Sequence, residues 1–312
     1  MRLAPRRTHV PGLAIGKERI AVLTPNALVV SDTAKFDEVA RIPMHQPTNL
    51  AVTADGSFVA TDTIHTVRLL PGDTKHKSFP PVVLFPESAL MGDRQTPDRF
   101  WVLPGHVTTL YGYVLGPSPL SVLTATEWIP LDGFDGRLFS SLRDGSFLYS
   151  ADKGFRHFYG AGKKEDVTGT LGDAFRLLPG SRVDTLWLVS RETAVLYRLV
   201  AGKLYELRSI SLSTMPFDVD ADGEYLALLE LAQPADAPWS FVLEVFDIEG
   251  KRRLHETLSA EENLEPKKWI RVLLRNRRLA LSAGERPLVA VGGPDDLSVF
   301  RADDGTRVWH RP

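Results

Sequence analysis

One phrase recurs along this chain and limits what it can fold into. AVTADGSFVA, SSLRDGSFLYS and DVDADGEYLAL each carry an Asp-Gly pair at the same point, with the aspartates at 55, 144 and 222. Asp-Gly is a strong hairpin signal, because the turn needs positive φ, which glycine adopts without steric cost. The gaps of 89 and 78 residues are about twice a unit of 40–45 residues. Weaker versions of the phrase turn near 17, 97, 182 and 285, which gives successive gaps of 38, 42, 47, 38, 40 and 63.

Between these turns the chain alternates short apolar runs with Gly and Pro punctuation. IAVLT, ALVVSD, FVATD, TVRLL, TLWLVS, YLALLEL and FVLEVFD are strand-like, and helical periodicity is scarce. A lone four-stranded sheet cannot bury both of its faces, whereas a ring of such sheets can. The spacing therefore predicts an all-β chain that forms a single β-propeller of about seven four-stranded antiparallel blades around a central axis. The blades are placed at about 8–44, 45–80, 81–129, 130–170, 171–212, 213–258 and 259–312. Six or eight blades stay open if 259–285 holds a different number of strands. In this reading TRVWH supplies the last outer strand; alternatively MRLAPR pairs where the ring closes.

The phrase resembles the blade of WD40-like propellers, which pair an apolar-x-Asp-Gly turn with a later aromatic-Asp ending. Phe246-Asp247 matches that ending best, followed by Phe300-Arg301. The Trp-Asp dipeptide occurs nowhere, so a quinoprotein-like propeller is the alternative. The resemblance implies an architecture and a role as an interaction platform; it transfers no functional residue.

Composition excludes several chemistries. The absence of cysteine removes disulfides, thiol nucleophiles and Cys-based metal sites. Lys+Arg 37 against Asp+Glu 39 leaves a net charge of −2, which offers no bulk attraction to nucleic acid or anionic membrane. The basic start MRLAPRR is not followed by an apolar stretch of signal-peptide type. No apolar run is long enough to span a bilayer, and the expected location is the cytoplasm.

No phosphate loop, dinucleotide fingerprint, zincin motif or nucleophile elbow is present. His45, His65 and His106 fall in loops at one end of the ring, with Asp62 near His65. A His/carboxylate metal or acid–base site there is the enzymatic reading, a propeller hydrolase or lactonase with a metal at the channel mouth. Asp62, Asp152, Glu192, Asp236 and Asp295 are its candidate acids. The leading expectation is instead a non-catalytic, protein-binding scaffold, without cofactor or metal, in a multi-protein assembly.

Partner contacts are expected at Trp239, Trp269 and Arg271 and at the loop carboxylates Asp62, Asp152, Asp236, Asp295 and Asp296. Trp239 ends a Pro-rich loop. Trp269 and Arg271 lie in a surplus segment, about 259–276, beyond what a blade needs, and Trp and Arg dominate binding hot spots. Loop acids outnumber loop bases at the same end, which would select a partner with a basic surface. Trp101 and Trp187 occupy matching strand positions and are read as core.

Overall fold

The computed structural model describes residues 12–82, 89–93, 95–104, 109–115, 124–151, 154–159, 163–169, 172–232, 240–258, 278–282, 286–292 and 296–311. Seven antiparallel sheets of four strands follow one another along the chain. They occupy 13–43, 49–79, 89–130, 134–167, 176–211, 216–258 and 278–311, and form a seven-bladed β-propeller. No helix occurs among the described residues. In each blade the four strands, A to D, run in sequence order from the axis outward. Among the described residues every sheet is built from consecutive strands, and the first and last blades meet by packing; MRLAPR lies outside the described residues. Arg307–Arg311, within TRVWH, is strand D of the last blade.

The continuous apolar runs have a direct cause. Each blade is covered on both faces, so alternate residues of one strand point into two different cores. In strand B of blade 6 (Tyr225–Ala232), Leu226 and Leu228 pack toward blade 5, while Ala227 and Leu229 pack toward blade 7. Seven such apolar clusters exist, one at each junction between neighbouring blades. Trp101 and Trp187 are buried in two of them.

The Asp-Gly turns behave as the sequence dictates. Gly56, Gly145 and Gly223 have φ of 89°, 81° and 60°. A second repeat feature lies at the rim. In five blades the pairing of strands C and D carries a bulge, which twists an edge that would otherwise invite another strand. The bulge skips Leu207 in blade 5 and Val308 in blade 7, which accounts for the exposure of these two apolar side chains.

Polar stitching supplements the apolar junctions. Asp218 and Asp220, on strand A of blade 6 (Pro216–Asp222), accept the backbone N–H groups of Leu279 and Leu281 in blade 7 at 3.1 and 2.7 Å. Arg143, in the A–B turn of blade 4, donates to the carbonyl of Gly180 in blade 5 at 2.7 Å and reaches on to Asp222 in blade 6. The side chain of Arg68 is nearly enclosed. It bonds Asp55 in its own blade, and Asp98 and the Leu115 carbonyl in blade 3, at 3.2, 2.6 and 3.3 Å.

Candidate functional site

Two ends of the ring are distinguishable. The A–B and C–D turns form one, and the D–A and B–C loops form the other. Of the eight residues expected to contact a partner, Asp62 and Asp296 are described. Trp239, Trp269, Arg271, Asp152, Asp236 and Asp295 lie outside the described residues, as does His106.

Asp62 organises the D–A/B–C end of blade 2. It follows strand B (Phe58–Thr61), and its side chain is fully covered. One carboxylate oxygen accepts the backbone N–H groups of Ile64 and His65, both at 2.7 Å; the other accepts that of His45 at 2.7 Å. Burial by itself would raise the pKa of Asp62. The N–H groups of His45, His65 and Ile64 outweigh it and hold the carboxyl below its ordinary range. The ring Nδ1 of His65 lies 3.1 Å from the same carboxylate, outside hydrogen-bonding alignment. Asp62 thus faces inward and ties the B–C loop to the preceding D–A loop. What it presents to solvent is Ile64, which is 60% exposed at the loop tip.

The acidic character expected of this end is partly consumed within the protein. Asp132 pairs with Lys164 at 2.7 Å, and Asp135 with Arg137 at 2.8 Å. Asp296 lies 3.8 Å from His310, while Asp173 and Glu192 are exposed. Among the described residues, no three His, Asp or Glu side chains converge on a common point where a metal ion could sit.

A Ser–His–Glu arrangement occurs at the opposite end, in blade 4. His157 Nε2 lies 2.9 Å from Ser146 Oγ, and its Nδ1 lies 3.3 Å from Glu165. These are the contacts that define a nucleophile, a base and an orienting acid. Comparison with blade 2 gives them a different meaning. Both blades carry Asp-Gly-Ser-Phe, at 55–58 and 144–147. Ser57 and Ser146 each return their hydroxyl to the turn aspartate, at 2.8 and 2.5 Å. Arg68 takes the place of His157, pairing with Val59 as His157 pairs with Leu148, and lies 3.3 Å from Ser57 Oγ. A guanidinium cannot act as a base, so the shared element is a clip that fixes the turn to strand C.

The sequence did not single out two exposed side chains. Ile64 is one. Its signal is the Asx-turn potential of an aspartate just after a strand. Trp128 is the other. It is 66% exposed and meets Tyr111 edge-on at 4.4 Å. It faces blade 2, whose strand D (Lys77–Phe79) has three residues.

Comparison with known proteins shows the fold. No family model and no curated protein sequence matches the chain. Solved structures do, over nearly the whole length, and WD40-type propellers are among them. Hsv2 of Kluyveromyces marxianus superposes with a TM-score of 0.60 at 11% identity, covering 97% of this chain and 98% of that one. The β-propeller domain of Cps50 (Swd1) from Myceliophthora thermophila gives 0.56 at 11%, covering 90% and 96%. Apo AztD from Citrobacter koseri gives 0.57 at 13%, covering 94% and 93%. At these identities the likeness is one of fold.

Proposed function

We propose that this propeller is a non-catalytic protein-binding module, and that it engages its partner through the D–A/B–C end. The observation that carries this reading is the Asp62 loop. Three backbone N–H groups converge on one buried carboxylate, and the consequence is a single aliphatic side chain, Ile64, held out in water. A preorganised apolar tip loses little conformational freedom on binding. His45 and Gln46, exposed on the adjoining loop, supply a polar surround of the kind that rims binding hot spots. Trp239, Trp269, Arg271, Asp152, Asp236, Asp295 and Asp296 belong to the same proposal as further contacts, in a cytoplasmic assembly.

The experiment is affinity purification of tagged protein from its source cells, comparing wild type with Ile64→Asp. A stoichiometric protein partner retained by wild type and lost by the variant, at unchanged melting temperature, supports the reading. Equal retention by both removes Ile64 from it.

A further inference from the structure

The turn end of blade 5 concentrates exposed apolar surface. Of the nine large hydrophobic side chains that stand most exposed among the described residues, four belong to this blade: Val183, Val200, Tyr205 and Leu207. Leu207 is accounted for by the bulge. The other three have a different cause.

Strands C and D of blade 5 (Thr193–Val200 and Lys203–Ser211) form a long hairpin, turned by Ala201 and Gly202 at φ of 47° and 71°. Blade 6 covers one side of it only as far as Arg208 and Ile210, against which the turn at Gly250 packs. Beyond that point Val200 and Tyr205 are bare. Pairing of Val200 with Lys203 and of Arg198 with Tyr205 places all four on that same side. The A–B turn comes up beside them. The Leu199 N–H donates to the Asp184 carbonyl at 2.7 Å, and Arg198 pairs with Asp184 at 2.5 Å, which holds the A–B turn, with exposed Val183, alongside the end of strand C. The result is a fixed apolar ledge.

Its charge is one-sided. Arg182, Lys203 and Arg208 are exposed and form no ion pair with another described residue. Glu206 pairs with Tyr197 and so points to the opposite side of the hairpin. The facing turns of blade 6 add Lys251, Glu224 and Glu249, and Asp184 is already held by Arg198. Outside the Arg198–Asp184 pair, four exposed cations therefore stand on this side of the hairpin and on the neighbouring turns against two exposed acids.

We propose that this ledge docks an acidic segment of a partner protein that inserts an aromatic or aliphatic side chain between Val183, Val200 and Tyr205. The site lies at the end of the ring opposite Ile64 and stands on separate observations. Charge complementarity sets the sign of the partner, and the apolar floor supplies the anchor.

The test uses a random-peptide phage library panned on the full chain, followed by synthesis of the enriched peptides. Enriched sequences are expected to be acidic and to contain an aromatic or aliphatic anchor. Their binding should weaken as salt rises, and should be about tenfold weaker for Lys203→Glu and for Val183→Ser. Ile64→Asp should bind them like wild type. Both ledge substitutions are on exposed side chains, and unchanged melting curves establish that the variants fold. Enrichment of neutral or basic sequences, or binding insensitive to both substitutions, overturns the proposal. So does absence of enrichment. Sedimentation of wild type but not Lys203→Glu with phosphatidylserine-containing vesicles, with no peptide enriched, would assign the ledge to a membrane surface and overturn it equally.

Discussion

Phe36 of the first blade stacks on Trp309 of the last, with ring centroids 4.9 Å apart and planes 15° from parallel. Phe36 does so from left-handed backbone, at φ of 62°, a conformation that costs a side chain with a Cβ about 1–2 kcal/mol. The stack between the first and last blades offsets this cost. Inside the same junction, Ile15, Ile20 and Val22 pack on Ala290, Leu297 and Val299; the aromatic pair extends that seam to the rim. Trp309→Ala is expected to destabilise by about 2 kcal/mol. Phe36→Gly should cost about 1 kcal/mol less, because glycine releases the backbone strain while losing the same stack. Denaturant titration of both variants checks the order; a larger cost for Phe36→Gly would refute the clasp.

Arg68 also holds two blades together from a single side chain. With Asp55, Asp98 and the Leu115 carbonyl around it, its removal leaves two partly exposed carboxylates facing each other without their shared cation. Arg68→Ala is expected to cost about 1.5–3 kcal/mol, from its charge-assisted hydrogen bonds and the packing of its enclosed stem. Asp98→Asn should cost much less, since the side chain of Asp98 is 49% exposed and water can replace the lost charge. Comparable losses for the two variants would show that the Arg68 cluster is not the anchor.

The repeat was legible because it rests on local chemistry. Asp-Gly requires a turn wherever it sits, and Ala60, Val67 or Leu226 need only a covered face. What stayed hidden depends on neighbouring blades. The sequence presents Asp62 as a loop acid, and nothing local shows that His45, seventeen residues earlier, will turn its N–H toward it. Ser146 and His157 are unremarkable in sequence, and their contact has meaning only beside Ser57 and Arg68. Arg143 reaches Asp222 across a whole blade, a distance along the chain at which no spacing rule operates.

Gly92 is an example of the hidden class. It lies in strand A of blade 3 (Ala89–Gly92), has no positive φ and belongs to no turn motif. A Cβ on it would sit 1.8 Å from the carbonyl oxygen of Val52 in blade 2. Backbone there cannot yield as a side chain would, and the Ala54 N–H donates to the Asp93 carbonyl beside it at 3.2 Å. Gly92→Ala is expected to cost more than Gly56→Ala, whose Cβ finds no atom nearer than 3.7 Å and whose penalty is backbone strain of about 1–2 kcal/mol. Thermal melts of the two variants rank them, and a milder effect at Gly92 would contradict the close approach.

Acid should loosen the structure through Asp62 and Asp55. At both sites burial raises the pKa and hydrogen bonds to the carboxylate more than compensate: backbone N–H groups at Asp62; Thr53, Ser57 and Arg68 at Asp55. A carboxyl whose folded pKa is depressed adds stability that is complete above its unfolded value, about 3.9. That stability disappears as pH falls through the folded value. Asp62→Asn is expected to cost about 1–3 kcal/mol at neutral pH, with the gap to wild type narrowing on acidification below about pH 4. A gap that stays constant down to the acid transition would mean that Asp62 is not charged in the folded protein.

The two core tryptophans differ in the partner of the indole N–H, and that difference can be measured. Trp101 pairs with Met91 and Trp187 with Leu178, so the turn residues Asp93 and Gly180 correspond. Asp93 accepts the Trp101 indole N–H at 2.9 Å. Gly180 has no side chain to offer, and a Cβ there would lie 2.4 Å from the Thr185 hydroxyl; the Trp187 N–H is left buried without a partner. Replacing either indole by phenylalanine removes similar volume, so the packing loss is shared. Trp101→Phe also leaves one carboxylate oxygen of buried Asp93 without a hydrogen bond, with Arg99 3.9 Å away. Trp187→Phe removes an unsatisfied donor, which recovers part of its desolvation cost. Trp101→Phe is therefore expected to be the more destabilising by about 1–3 kcal/mol, as read from paired denaturant midpoints. Equal losses would mean that the Trp101–Asp93 bond contributes nothing beyond packing.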